Sequence, residues 1–116
     1  MIAVIFEGWT DPAHGMDYLG LAAQLRPLLD DVAGFISVER FRSLSDPDKL
    51  LSLSFWQDEA AVAAWRNQPE HRGAQARGRA GVFRDYRIRI AQVSRDYALA
   101  ERAQAPVESA VAPPPD

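Results

Sequence analysis

One titratable ring in this 116-residue chain stands where it could serve chemistry: His71, six residues after Trp65 in the stretch FWQDEAAVAAWRNQPEHRG. An imidazole, with its ordinary pKa near about 6.5, can accept the proton of a weakly acidic hydroxyl at neutral pH. The electron-rich phenolate formed in that way can pass one electron to dioxygen without metal or flavin. Trp65 could stack on a flat substrate, and Arg84 or Arg87 could steady a developing oxyanion. Each of these residues also has a plainer explanation. A histidine beside Glu70 and Arg72 in a first helical turn can simply hydrogen-bond, an inward tryptophan can be core, and arginines can pair with Asp85 and Glu39. Tyr18, Tyr86, Phe6 and Phe55 should surround the gap between helices and sheet, where a small molecule would most naturally bind.

Periodicity gives the elements that must position these residues. Ile2 to Trp9 alternates as a strand, ended by Thr10-Asp11-Pro12. From Gly15 to Val32 the apolar residues Tyr18, Leu19, Ala22, Leu25, Leu29 and Val32 recur at helical spacing, with Pro27 expected to kink or restart the helix. Gly34 releases the chain into a strand from Phe35 to Ser43, and Ser45-Asp46-Pro47-Asp48 turns it into a third, Leu50 to Trp56, making an antiparallel hairpin. Asp58 can cap a short helix whose Ala61, Val62 and Trp65 share one apolar face. Asn67-Gln68 breaks that helix, Pro69 suits the start of another running to about Gly81, and Phe83 to Ser94 supplies the last strand.

The order β-α-β-β-α-β predicts an α+β, ferredoxin-like plait with both helices on one side of the sheet. Ile36, Val38, Leu51, Leu53, Phe55, Ile88 and Ile90 are expected to meet the helices. The other side, with Phe35, Phe41 and Trp56 beside Glu39, Arg87 and Arg89, suits a surface covered by the sheet of a second copy, hence a twofold homodimer. Tyr97 to Ala105 could add a helical turn or two, and APVESAVAPPPD reads as a loose tail. The expected division is a domain over 1–97 and a Pro/Ala-rich extension over 98–116.

Hydrophobic residues at 47% and charged residues at 25% belong to one ordinary globular domain. A net charge of −3 argues against general affinity for nucleic acid. The absence of cysteine excludes disulfides, thiolate metal sites and a cysteine nucleophile, and His14 and His71 alone cannot build a histidine-rich metal cage. MIAVIFEGW lacks the basic lead of a signal peptide, and no apolar run reaches the roughly 20 residues that span a bilayer, so a soluble cytoplasmic protein is expected. No phosphate-binding loop, dinucleotide fingerprint, serine elbow or paired-carboxylate motif is present.

The strings GFISVERFRS, KLLSLSFWQDEAAVAAW and PEHRGAQARGR resemble the antibiotic biosynthesis monooxygenase (ABM) family over about residues 1–97. The marks are the Gly34-Phe35 strand entry, Glu39, the tryptophans Trp56 and Trp65 flanking Asp58-Glu59-Ala60, and His71. The resemblance implies a dimeric α+β barrel and two enzymatic branches. One oxidises polycyclic aromatic phenols to quinones without a cofactor. The other degrades haem, with a helical tryptophan that Trp65 matches, a histidine ligand where this chain has Gln75, and an asparagine where it has Glu7 and Gly8. In the phenol branch, Ala61 or Val62 stands where an asparagine is expected and His71 where that branch has a tyrosine hydroxyl. The expectation is a cofactor-independent monooxygenase acting on a phenolic or polycyclic aromatic molecule, with His71 as base, Trp65, Tyr18, Phe55, Tyr86 and Arg84 around the substrate, and no metal. A haem-binding or haem-degrading monooxygenase is the second reading, and a non-catalytic small-molecule-binding or stress-related dimer the third.

Overall fold

The β-branched alternation at the start of the chain becomes strand β1 (Ile2–Thr10), an inner strand of a four-stranded antiparallel sheet. In the computed structural model, which describes residues 1–11, 15–69, 73 and 83–107, there follow α1 (Gly15–Asp30), β2 (Phe35–Arg42), β3 (Lys49–Trp56), α2 (Glu59–Arg66) and β4 (Phe83–Gln92). The strands lie side by side in the order β2-β3-β1-β4. This is the expected ferredoxin-like α+β arrangement. Of the helix expected over Pro69 to Gly81, Pro69 and Gly73 are helical and the rest lies outside the described residues, as does His14. Pro27 sits inside an unbroken α1.

Which way each strand faces follows from the cross-strand register. Val4 pairs with Ser54 and Ile90, Phe6 with Ser52 and Ile88, and Ile2 with Trp56. Directly opposed residues share a face, so the even-numbered residues of β1, β3 and β4 point one way and the odd-numbered ones the other. The core identifies the even face as the one under the helices: Ile2 and Trp56 cluster with Leu29, Val32, Ala61, Val62 and Trp65. Leu51, Leu53 and Phe55 therefore lie on the opposite, open face, which corrects the expectation that they meet the helices. Trp56 decides the phase of β3. Only 2% exposed, it fills the core with the larger ring, and its indole Nε1–H donates to the Ser54 hydroxyl at 2.9 Å, so burial leaves no orphaned donor.

Phe35 is the second correction. A register shift between Phe35 and Ser37 brings Phe35 opposite Trp56, edge to face at 5.2 Å, and onto the helix side with Val38. Ile36, at the irregularity, is left exposed. An extra residue on one strand reverses the alternation beyond it, so simple parity fails there.

Helix α2 is fixed at its start by Asp58, whose Oδ1 accepts the Ala61 N–H at 2.9 Å, as the cap reading predicts. It packs so close to Gly34 that a Cβ there would lie 2.8 Å from that of Ala61, and Gly34 has φ +88°. Glycine meets both demands. Beyond β4, the residues expected to continue as helix form hydrogen-bonded turns instead: Ala98 and Glu101 exchange backbone bonds, Gln104 Oε1 accepts from Asp96 N–H, and Arg102 lies over the Tyr97 ring. Among the described residues no helix is long and apolar enough to cross a membrane.

The open face carries an ion-pair group at Glu7, which accepts from Lys49 at 2.9 Å and from Arg89 at 2.6 Å. The Lys49 hydrogen bond is the largest of the influences that hold the Glu7 carboxyl below its ordinary range, opposed in part by burial. A carboxyl lowered in the folded state stabilises above its unfolded pKa, and that contribution is lost as pH falls through the folded value. Glu7→Gln should therefore lower stability at neutral pH and flatten the acid limb, the two profiles converging as pH falls from about 5 to about 3. Denaturant midpoints measured across that window check this; parallel profiles for the two proteins would contradict it.

Candidate functional site

On the helix-covered face, three aromatic side chains gather where β1 and β4 run side by side. The register sets Phe6 beside Ile88 and Gly8 beside Tyr86, and a shift between Trp9 and Thr10 brings Phe83 opposite Thr10. Phe6 stacks on Tyr86 at 5.8 Å and meets Phe83 edge-on at 5.2 Å. Val4 opposite Ile90 continues the apolar surface toward the core. Ile88, Ile90 and Tyr86 are nearly half exposed, so this strip is an apolar floor with a phenol at one end. Such a floor suits a flat or cyclic apolar molecule with one polar group.

The residues singled out from the sequence separate. Tyr86 belongs to the ring cluster, as does Phe6. Trp65 lies on the same side of the sheet but in the core with Ile2 and Trp56, where it is 8% exposed. Ile2 is four residues along β1 from Phe6, about 13 Å at the rise of a strand. Phe55 is on the open face and does not line the gap between helices and sheet. Arg84 falls at the β4 irregularity and reaches Asp48 at 3.9 Å, not Asp85, whose carboxylate accepts the Tyr86 N–H. The Asp48 carbonyl in turn accepts from both the N–H and the hydroxyl of Thr10, so the β2–β3 turn is tied to the end of β1 nearest the ring cluster. Tyr18 is in the first turn of α1, and its side chain lies outside the described part of the structure; His71 also lies outside the described residues. No group of three or more His, Asp or Glu that could hold a metal occurs among the described residues.

The family model for antibiotic biosynthesis monooxygenases matches residues 1–77. The chain belongs to this family. Jasmonate monooxygenase ABM of Pyricularia oryzae is 47% identical over 94 residues, which cover 81% of this chain and 44% of that protein. The chain thus spans less than half the length of that relative. YqjZ, an uncharacterized protein of Bacillus subtilis, is 30% identical over 93 residues, covering 80% of this chain and 79% of YqjZ. Among solved structures, a candidate antibiotic biosynthesis monooxygenase from Deinococcus radiodurans superposes with a TM-score of 0.76 at 14% identity, over 85% of this chain and 98% of that one. That likeness concerns the fold.

For this ABM-family chain, sequence reasoning missed Phe83 and the part played by Gly8. A glycine inside a strand signals close approach of another group, and that signal was available. A Cβ at Gly8 would lie 2.8 Å from ring carbons of both Phe6 and Phe83, so the rings close over the backbone only because the position has no side chain. Gly8→Ala should push them apart, at about 1–3 kcal/mol if the surroundings yield little. Thermal or chemical denaturation, with near-UV circular dichroism to follow ring packing, measures it; an unchanged aromatic spectrum and midpoint would show that the rings do not seat there.

Proposed function

We propose that this chain is a monooxygenase that binds a small cyclic, apolar molecule on the helix-covered side of the sheet, against Phe6, Phe83 and Tyr86. The partly exposed ring cluster carries the reading, because it joins an apolar contact to a polar end in a chain of the ABM family. The first substrate class is a phenolic or polycyclic aromatic, and its chemistry needs no bound cofactor. Oxidation of an activated ring CH₂ to a carbonyl by O₂ places one oxygen atom in the product and the other in water, and the substrate supplies all four electrons. His71 takes the hydroxyl proton, which raises the electron density that O₂ receives.

The Pyricularia oryzae relative favours a second class, a cyclic ketone carboxylate of the jasmonate kind. Inserting oxygen into an aliphatic C–H bond yields an alcohol and water only if a two-electron donor is added. The two classes therefore differ in reductant demand. The Trp65 indole belongs to the core cluster with Ile2, Leu29, Val32 and Trp56 and is 8% exposed, which favours a core role over stacking on a ligand. We also propose a twofold dimer, sheet against sheet, on the open face of Ile5, Leu51, Leu53 and Phe55. Both ring clusters then face outward, away from the interface.

Oxygen uptake against product formation tests the reading. One O₂ per quinone from a hydroxylated polycycle, with no reductant added, supports the first class. Turnover of a jasmonate-type substrate only when a two-electron donor is supplied supports the second. No aerobic turnover of either, with or without donor, would leave a non-catalytic binding domain.

A further inference from the structure

The basic residues of β3 and β4 divide between the two sides of the sheet. Lys49, Arg87 and Arg89 stand opposite Trp9, Glu7 and Ile5, which puts all three on the open face. Arg84 does not follow them. It is the extra residue of β4 at the irregularity, where Thr10 pairs with Phe83 and Trp9 with Asp85. Its guanidinium reaches the carboxylate of Asp48, just before β3, at 3.9 Å. Because β1 lies between β3 and β4, that pair crosses the end of β1 at Thr10, the residue directly opposite Phe83. A cation therefore stands at the Phe83 end of the ring cluster. The Phe83 and Tyr86 rings are 6.4 Å apart, so the cation and the phenol mark one end of the apolar floor and Ile88 and Ile90 the other.

That cation is weakly held. A nitrogen and an oxygen 3.9 Å apart are beyond a hydrogen bond, and the two side chains are 55% and 35% exposed. An ion pair of this kind contributes little to stability. Among the described residues Arg84 has no other hydrogen bond or ion pair. A guanidinium offers a planar fork of N–H donors that fits a carboxylate two at a time, and at this distance Asp48 uses none of them. Asp48 is nevertheless a competing anion, because its backbone is fixed by the bonds from Thr10 and by its own N–H donating to Asp46 Oδ1 at 3.0 Å. Asp85 does not compete: it stands opposite Trp9 on the open face and accepts the Tyr86 N–H.

We propose that the site selects acids. Its substrate is a small cyclic, apolar molecule bearing one carboxylate, which Arg84 binds in place of Asp48 while the ring lies on Phe6, Phe83 and Tyr86. This rests on the ring-cluster reading of the site and holds whether the ring is aromatic or alicyclic. Arg84 is then a specificity-determining residue, and Asp48 weakens acid binding by competing for the same guanidinium.

Isothermal titration calorimetry with two acid and ester pairs, jasmonate with its methyl ester and a hydroxynaphthoate with its methyl ester, tests this, since each pair differs by one charge. Far-UV circular dichroism confirms that each variant is folded. The wild-type chain should bind at least one acid about tenfold or more tighter than its ester. Arg84→Met, which keeps an apolar stem, should bring that acid down to the affinity of the ester and leave the ester unchanged. Asp48→Asn should tighten the acid several-fold and not the ester, and Phe83→Ala should weaken both alike. Equal binding of acid and ester by the wild-type chain, binding of neither acid, or a preference that survives Arg84→Met would overturn selection by Arg84, with the ring cluster still the site if Phe83→Ala weakens the ester. Unchanged binding of acid and ester in Phe83→Ala would instead overturn the ring-cluster reading itself.

Discussion

Trp56→Ala should remove a large share of the domain's stability. Truncating a large buried aromatic side chain costs about 3–5 kcal/mol, against a total of about 5–15 kcal/mol for a domain. Among the described residues Trp56 is the largest fully buried side chain; it packs edge to face on Phe35 and sits in one cluster with Ile2, Leu29, Val32 and Trp65. The substitution also strips the buried Ser54 hydroxyl of its indole donor. Trp56→Phe separates the two effects. It keeps most of the ring and removes only the N–H, so its cost should be nearer the about 1–3 kcal/mol of one unpaired buried polar group. Urea denaturation of both variants measures this. A loss below about 1 kcal/mol for Trp56→Ala would place the indole outside the core and restore the opposite phase for β3.

The largest expected effect on activity is at His71. If its imidazole takes the substrate hydroxyl proton, His71→Ala should lower aerobic turnover of a hydroxylated polycycle by about 10²–10⁴-fold, with little change in substrate binding. In the wild-type chain the rate should rise with pH as the ring loses its proton, and that limb should be missing from the variant. Added imidazole should restore part of the lost rate. Oxygen-uptake kinetics over a pH series make the comparison, and turnover in the variant equal to wild type for every accepted substrate would remove His71 from the mechanism.

Most of the fold was legible because its signals are local. The β1 alternation, the Ser45–Asp48 turn, the Asp58 cap and the Ala61, Val62 and Trp65 face each depend on a few neighbouring residues. What could not be read was which face of β3 is inside. Leu51, Leu53 and Phe55 on one side and Trp56 on the other are both credible core sets, since this sheet has an apolar surface on each side. The choice depends on the Ser54 hydroxyl accepting the Trp56 N–H and on the irregularity after Phe35, and neither leaves a mark on periodicity. The candidate site divided in the same way. Phe6 and Tyr86, both expected around the gap between helices and sheet, stack on one another on the helix-covered face, whereas Phe55 went with the wrong face of its strand, and Arg84 was given Asp85 where the chain supplies Asp48 from another turn. Such long-range pairings depend on register, and a shift of one residue exchanges the two faces.

Diffraction from crystals soaked with a hydroxylated polycyclic aromatic tests most directly the claim that chemistry belongs to the even face of the sheet and assembly to the odd. The account predicts a flat ligand on the helix-covered side, against Phe6, Phe83 and Tyr86, with the face of Leu51, Leu53 and Phe55 buried against a second copy. A ligand seated on Leu51, Leu53 and Phe55 instead, with the ring cluster at Gly8 untouched, would contradict it.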